Sequence, residues 1–126
     1  GQLVAYPIIN LKKRKIGVKS YVEMIEQLIS NTLMYYGLET HVPIKETGVW
    51  VEDKKIASIG IHVSRGVTMH GLAINISTDL SYFDNIISCG IEGVKMTTID
   101  KELEKKIAMN DIKKQLISNF NKIFNT

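Results

Sequence analysis

The chain has one cysteine in 126 residues, and that scarcity excludes several ways of building or using a fold. A single thiol cannot close an internal disulfide, so a reducing compartment is the simplest setting. No Cys/His pair stands at metal-ligand spacing, so no metal is expected. No glycine-rich phosphate loop is present, which argues against a nucleotide-driven reaction. No apolar run approaches the ~18 residues of a membrane span, and no signal-peptide pattern opens the sequence. Repeats, low-complexity segments and interdomain linkers are also missing. What is left is one domain's worth of chain, long enough to bury a core unaided. The charge is mild: 16 basic and 13 acidic residues give +3, short of the one-sided basic footprint of a nucleic-acid binder. The expectation is a protein that uses neither a nucleic acid, a membrane nor a cofactor.

What is present divides readily into elements. Leu3 to Ile9 is an apolar strand, with Pro7 at an edge or strand end because it cannot donate to a ladder. Lys12 to Lys15 reads as a basic loop ending at Gly17, either a solvated linker or a patch for an acidic partner protein. Ser20-Tyr21-Val22-Glu23 has the form of a capping box, which predicts a helix from Ser20. Its stripe is Tyr21, Val22, Ile25, Leu28, Ile29, Leu33 and Tyr36, and Gly37 is placed to end it. Thr40 to Ile44 could form a strand interrupted by Pro43, and Gly48 to Val51 is a better one. After a polar turn at Glu52-Asp53-Lys54, a strand runs from Lys55 to about Val63. Lys55, Ala57, Ile59, Ile61 and Val63 share one face by the two-residue period, which puts Lys55 at the rim of an apolar surface. Ser58 and Gly60 lie on the other face, where small residues admit another backbone or a ligand.

Ser64-Arg65-Gly66 turns the chain into a strand from Val67 to Ser77. On it Thr68, His70, Leu72, Ile74 and Ile76 share a face, which reads His70 as a satisfied core histidine. Thr78 to Ile87 is an irregular loop around Phe83, tipped by Ser88-Cys89-Gly90. Thr97 or Thr98 caps a helical segment from Lys101 to Ile107, which Met109-Asn110 breaks. An amphipathic helix follows from about Asp111 to Phe124, with Ile112, Leu116, Ile117, Phe120 and Phe124 on one side. The fold class expected is α+β, a mixed, mainly antiparallel sheet with flanking helices.

Cys89 admits two readings. Composition alone favours burial, because free cysteines are among the most buried residues. Its place beside Gly90 in a loop would instead give a substrate access and free backbone N–H groups to stabilise an oxyanion. Lys55 or His70 could then serve as base or activator.

The segments G-Q-L-V-A-Y-P, G-V-W-V, K-I-A-S-I-G, H-G-L-A-I-N and S-C-G-I-E-G stand in the order and approximate spacing of the lipoate-pathway octanoyltransferases. The chain resembles that family, the lipoyl(octanoyl) transferases, which are similar in fold to biotin and lipoate protein ligases. The resemblance runs from Gly1 to Phe124, and its lysine and cysteine motifs, 34 residues apart, form a specific pair. The family carries an arginine-glycine-glycine segment and a T-Y-H-G-P run before G-Q-L. Residues 1–126 are therefore expected to be the C-terminal major part of one catalytic domain.

The resemblance implies that Cys89 attacks the thioester of octanoyl-acyl carrier protein and that a lysine of a lipoyl domain takes the acyl group. The lipoyl domains would be those of 2-oxoacid dehydrogenases and the glycine cleavage H protein. Lys55 would pair with Cys89 in activation and proton transfer. Ser58, Ile59, Gly60, Gly71, Leu72 and Ala73 would line the acyl pocket, and His70 belongs to the motif without an assigned role. The enzyme would be a monomer, cytoplasmic or in an organellar matrix in a eukaryote.

Dropping a thiol pKa from about 8.5 to about 7 raises its thiolate fraction at pH 7 roughly fifteenfold. Lost nucleophilicity gives back roughly fivefold of that. A lysine partner must therefore do more than shift an equilibrium: it must position the thiolate and carry a proton. Two alternatives stand beside this reading. One is a non-catalytic or ATP-dependent lipoate-ligase-like subunit, which would keep the lysine motif without requiring Cys89. The other is a basic interaction module using Lys12 to Lys15.

Overall fold

The computed structural model describes residues 1–85 and 94–126. Among these, five strands form one sheet: β1 (Gln2–Ala5), β2 (Val49–Val51), β3 (Lys54–Ser64), β4 (Val67–Asn75) and β5 (Lys95–Met96). The order is β1-β4-β3-β2, all antiparallel neighbours, and β5 pairs with β3 in parallel. Helices α1 (Leu11–Arg14), α2 (Val18–Tyr35), α3 (Ile99–Leu103) and α4 (Met109–Phe124) flank it. This is the expected mixed, mainly antiparallel α+β fold.

The two-residue period sorts the sheet into unlike faces. Leu3, Ala57, Leu72 and Ile74 enter the core, with Ala5, Ile59, Ile61 and Val63 packed against it. Helix α2 supplies Tyr21, Ile25, Leu28, Ile29 and Leu33 to that core, all buried, and α4 packs on α2 with Ile112, Leu116 and Phe124. Each such side chain contributes about 1.5–3 kcal/mol by leaving water. Helix α2 ends in a Schellman motif: the N–H of Leu38 donates to Leu33 O at 3.1 Å and that of Gly37 to Met34 O at 2.9 Å, with Gly37 at φ +85°.

Several boundaries differ from the sequence expectations. The basic loop is the short helix α1, capped by Asn10, whose Oδ1 accepts from the Lys13 N–H. Part of its charge is structural, because the Arg14 guanidinium donates to Phe124 O at 2.7 Å and closes the C-terminus of α4. The capping box at Ser20 is not used. Lys15, left-handed at φ 55°, turns the chain so that α2 already begins at Val18 on Gly17. Thr40 to Ile44 makes only a bridge between His41 and Trp50. Met109 starts α4 where a break was expected, and Ile117 is 60% exposed. Thr98 does cap α3, its hydroxyl accepting from the Lys101 N–H at 3.1 Å, and α3 ends at Leu103. The Ser88-Cys89-Gly90 tip lies outside the described residues.

Strands β1 and β4 approach closely at Gly71, where an added Cβ would collide with the Ala5 carbonyl. Backbone lies on both sides of that contact, so neither partner can swing away. Gly71→Ala should destabilise the protein by about 1–3 kcal/mol, seen as a lower urea midpoint at unchanged slope.

Helix α3 is locked to the sheet through Glu102. Lys54 Nζ donates to both carboxylate oxygens, at 3.1 and 3.0 Å, and buried Thr97 donates its hydroxyl at 2.6 Å. Burial alone would raise the Glu102 carboxyl, but the Thr97 and Lys54 hydrogen bonds outweigh it and hold the group below its ordinary value. The bond to Glu102 raises Lys54 in turn. Glu102 therefore adds stability above its unfolded-state pKa of ~4.3 and loses it as the pH falls through its lower folded value. The Lys54 contribution is complete below ~10.4 and is lost as the pH rises through the raised folded value. Glu102→Gln should lower the melting temperature at pH 7, and the gap to the unaltered protein should narrow as melts are repeated at falling pH below ~4.3.

Candidate functional site

Lys55 opens the K-I-A-S-I-G segment, and its backbone is held from both sides. Trp50 of β2 is its antiparallel partner and Met96 of β5 its parallel one, and the Thr97 N–H donates to Lys55 O at 2.9 Å. The β2–β3 register shifts here: Trp50 faces Lys55 but Val49 faces Ala57, so Ile56 is an extra residue in a bulge. The bulge breaks the two-residue period, and Lys55, Ile56 and Ala57 are buried in succession. Lys55 is 1% exposed. The sequence placed it at the rim of an apolar surface; β5, which was not foreseen, and β2 enclose it instead. Its Cε and Nζ run past the α-carbon of Gly48.

Three positions beyond Lys55, about 10 Å along the strand, β3 begins to floor a cavity of about 270 Å³ on the face opposite the core. Ser58, Gly60, Gly71, Leu72, Ala73 and His70 border it. The register explains the grouping: Ser58 faces Ala73 and Gly60 faces Gly71, two cross-strand pairs of small residues that leave the hollow unfilled. Ile59 is not brought to it and packs against the core on the other face. Gln2, Val4 and Tyr6 of the β1 segment complete the lining. Sequence reasoning did not assign them, although their alternation along β1 carries the signal. Gln2 is anchored by donating Nε2–H to buried Asn75 Oδ1 at 3.0 Å.

His70 is exposed rather than buried in the core. Its backbone is left-handed, at φ +60° in the middle of a strand, which takes it out of the alternation that the period assumed. Its ring meets Tyr6 edge-on, with centroids 6.0 Å apart. A larger hollow, about 580 Å³, lies between the end of α2 and β2 beside Glu39, Glu52 and Glu102, and none of the expected site residues borders it. Among the described residues no three His, Cys, Asp or Glu side chains come together to hold a metal, and no helix is long and apolar enough to cross a membrane.

Known proteins resemble the chain in sequence over nearly its whole length. The lipoyl protein ligase A/B catalytic domain matches residues 1–121. An octanoyltransferase of Solibacter usitatus is 45% identical over 124 residues, 98% of this chain and 56% of that protein. The mitochondrial octanoyl-[acyl-carrier-protein]:protein N-octanoyltransferase of Danio rerio is 42% identical over 125 residues, 99% of this chain and 55% of that protein. The biotin protein ligase of Aquifex aeolicus superposes with a TM-score of 0.76 at 13% identity, covering 99% of this chain and 53% of that one. The chain thus spans about half the length of the curated relatives it matches. A match over nearly every residue, together with the shared fold, makes this chain a member of the lipoyl protein ligase A/B catalytic domain family.

Proposed function

We propose that this chain carries the core of an octanoyltransferase, moving an octanoyl group from an acyl carrier protein through Cys89 to a lysine of a lipoyl domain. The observation that carries this reading is Lys55, buried and fixed between two strands at the start of the strand that floors the cavity. Curated relatives named octanoyltransferases support the same chemistry. Cys89 comes seven residues before Met96, the strand partner of Lys55.

In the first step the Cys89 thiolate adds to the thioester carbonyl, and the tetrahedral oxyanion collapses by expelling the carrier's thiolate. In the second, the acceptor amine attacks acyl-Cys89, the amide forms, and the Cys89 thiolate leaves. The amine's proton must go to a base, and Lys55 is assigned that transfer. A thioester is already activated, so neither step needs ATP. The cavity lies just below the ~300 Å³ floor of ordinary small-molecule sites, a size suited to an acyl chain. Ser58, Gly60, Gly71, Leu72 and Ala73 would line its path, Tyr6 and His70 would close one side, and Ile59 would support it from the core. The setting would be cytoplasmic, or an organellar matrix in a eukaryote.

The complete protein incubated with octanoyl-acyl carrier protein should gain one octanoyl group by intact mass, absent in Cys89→Ser. Lys55→Met, which keeps the buried volume that Lys55→Ala would empty, should slow acylation about 10²–10⁴-fold with little loss of stability. No adduct, or lipoylation that requires ATP and tolerates Cys89→Ala, would overturn the reading in favour of a ligase-like subunit.

A further inference from the structure

We infer that Gly48 is a positioning residue for Lys55, its missing side chain being the groove in which the lysine chain lies. The inference rests on the acyl-transfer reading for its kinetic consequence and on geometry for its cause. An ideal Cβ built on Gly48 would stand 2.5 Å from Lys55 Cε and 3.3 Å from Nζ, and would also meet the Ala57 carbonyl. The last atoms of the lysine thus occupy the space that any other residue at 48 would fill.

Backbone conformation alone does not account for the glycine. Gly48 has φ +85°, and so does Gly37, but nothing lies within 4 Å of a Cβ placed on Gly37. Gly37 is explained by its helix cap. Gly48 has a wider positive φ than Glu52, Arg65 and His70, which lie at 52–60°, so its backbone also favours glycine, as that of Gly37 does. What distinguishes Gly48 from Gly37 is that the Lys55 chain and the Ala57 carbonyl cover it. The bulge at Ile56 fits the same purpose: it displaces Val49 from the partner expected by regular pairing, and so brings the residue before Val49 alongside the lysine chain. A methyl at 48 would press on the Ala57 carbonyl and on the end of the lysine together. The carbonyl is held in β3 and the lysine end is not, so the ammonium is the group that moves furthest from its path.

The test is a double-mutant cycle of Gly48→Ala and Lys55→Ala in the complete protein, read by acylation rate and by thermal melting. Acting through Lys55, Gly48→Ala should slow octanoyl transfer to Cys89 at least tenfold when Lys55 is present. In the Lys55→Ala background it should change the residual rate by less than twofold. Removing Cε and Nζ relieves the lysine part of the clash and leaves the Ala57 part, so Gly48→Ala should lower the melting temperature less in the Lys55→Ala background than in the unaltered protein. If Gly48→Ala does not fold, folding of the double variant supports the inference, and failure of both to fold overturns it. An equal rate penalty in both backgrounds, or an equal loss of melting temperature in both, overturns it too. If the unaltered protein forms no octanoyl adduct, the acyl-transfer reading falls, and the melting comparison alone decides the contact.

Discussion

Burying a lysine inside a small sheet is the constraint on which the rest of this structure depends. A lysine taken out of water loses hydration that the protein must replace through its surroundings. Here the sequence places two lysines in succession and gives them opposite fates. Lys54 reaches out to Glu102, still partly exposed, while Lys55 is enclosed. The first holds the second. The Lys54–Glu102–Thr97 network ties α3 and β5 against β3, and β5 supplies the parallel neighbour and the Thr97 N–H that fix the backbone of Lys55. A surface ion pair of this kind adds little to global stability. Its effect is local, because it determines which strand lies beside the lysine.

The second constraint is the unlike character of the two sheet faces. Helix α2 covers one face with branched and aromatic side chains, α4 packs on α2, and stability comes chiefly from there. Across the strands the opposite face carries Ser58, Gly60, Gly71 and Ala73, side chains too small to fill the space above them. Small residues in strand interiors weaken a sheet, since they pack poorly and free the unfolded chain. At Gly71 the close approach of Ala5 explains the choice, but nothing lies within 4 Å of a Cβ on Gly60. The hollow, rather than packing, accounts for that glycine.

Much of this was legible in the sequence, for reasons that can be named. The α2 stripe and its Gly37 stop were readable because both signals are local and agree. Strands β3 and β4 were readable because apolar alternation continues for nine residues or more in each. The grouping of Ser58 and Gly60 with Gly71 and Ala73 followed from the motifs and is explained by the register. Other features depend on long-range contacts that no local period records. Strand β5 has two residues and exists only because β3 receives it, so the burial of Lys55 could not be read from position. The start of α2 was misread because an earlier left-handed turn at Lys15 set the chain's direction before the Ser20 pattern. The Ile56 bulge likewise breaks the alternation that placed Lys55 at a rim.

The left-handed residues with side chains show where local rules yield to function. Lys15, Glu104 and Asn125 close helices, and Glu52 and Arg65 turn hairpins, so each has a local explanation. His70 has none. It sits inside β4, paired opposite Ile61, where an extended residue would cost nothing and would point with Leu72 and Ile74 into the core. Strain without a cap or turn to account for it persists only where the surroundings impose it, and such positions gather at functional sites. The consequence here is specific: the left-handed turn keeps an imidazole out of the apolar core and stands it against the edge of Tyr6, on the border of the hollow that Gly60 and Gly71 leave open. The irregularities at Gly48, at Ile56 and at His70 therefore share one feature, since each departs from regular sheet geometry next to the lysine or the cavity.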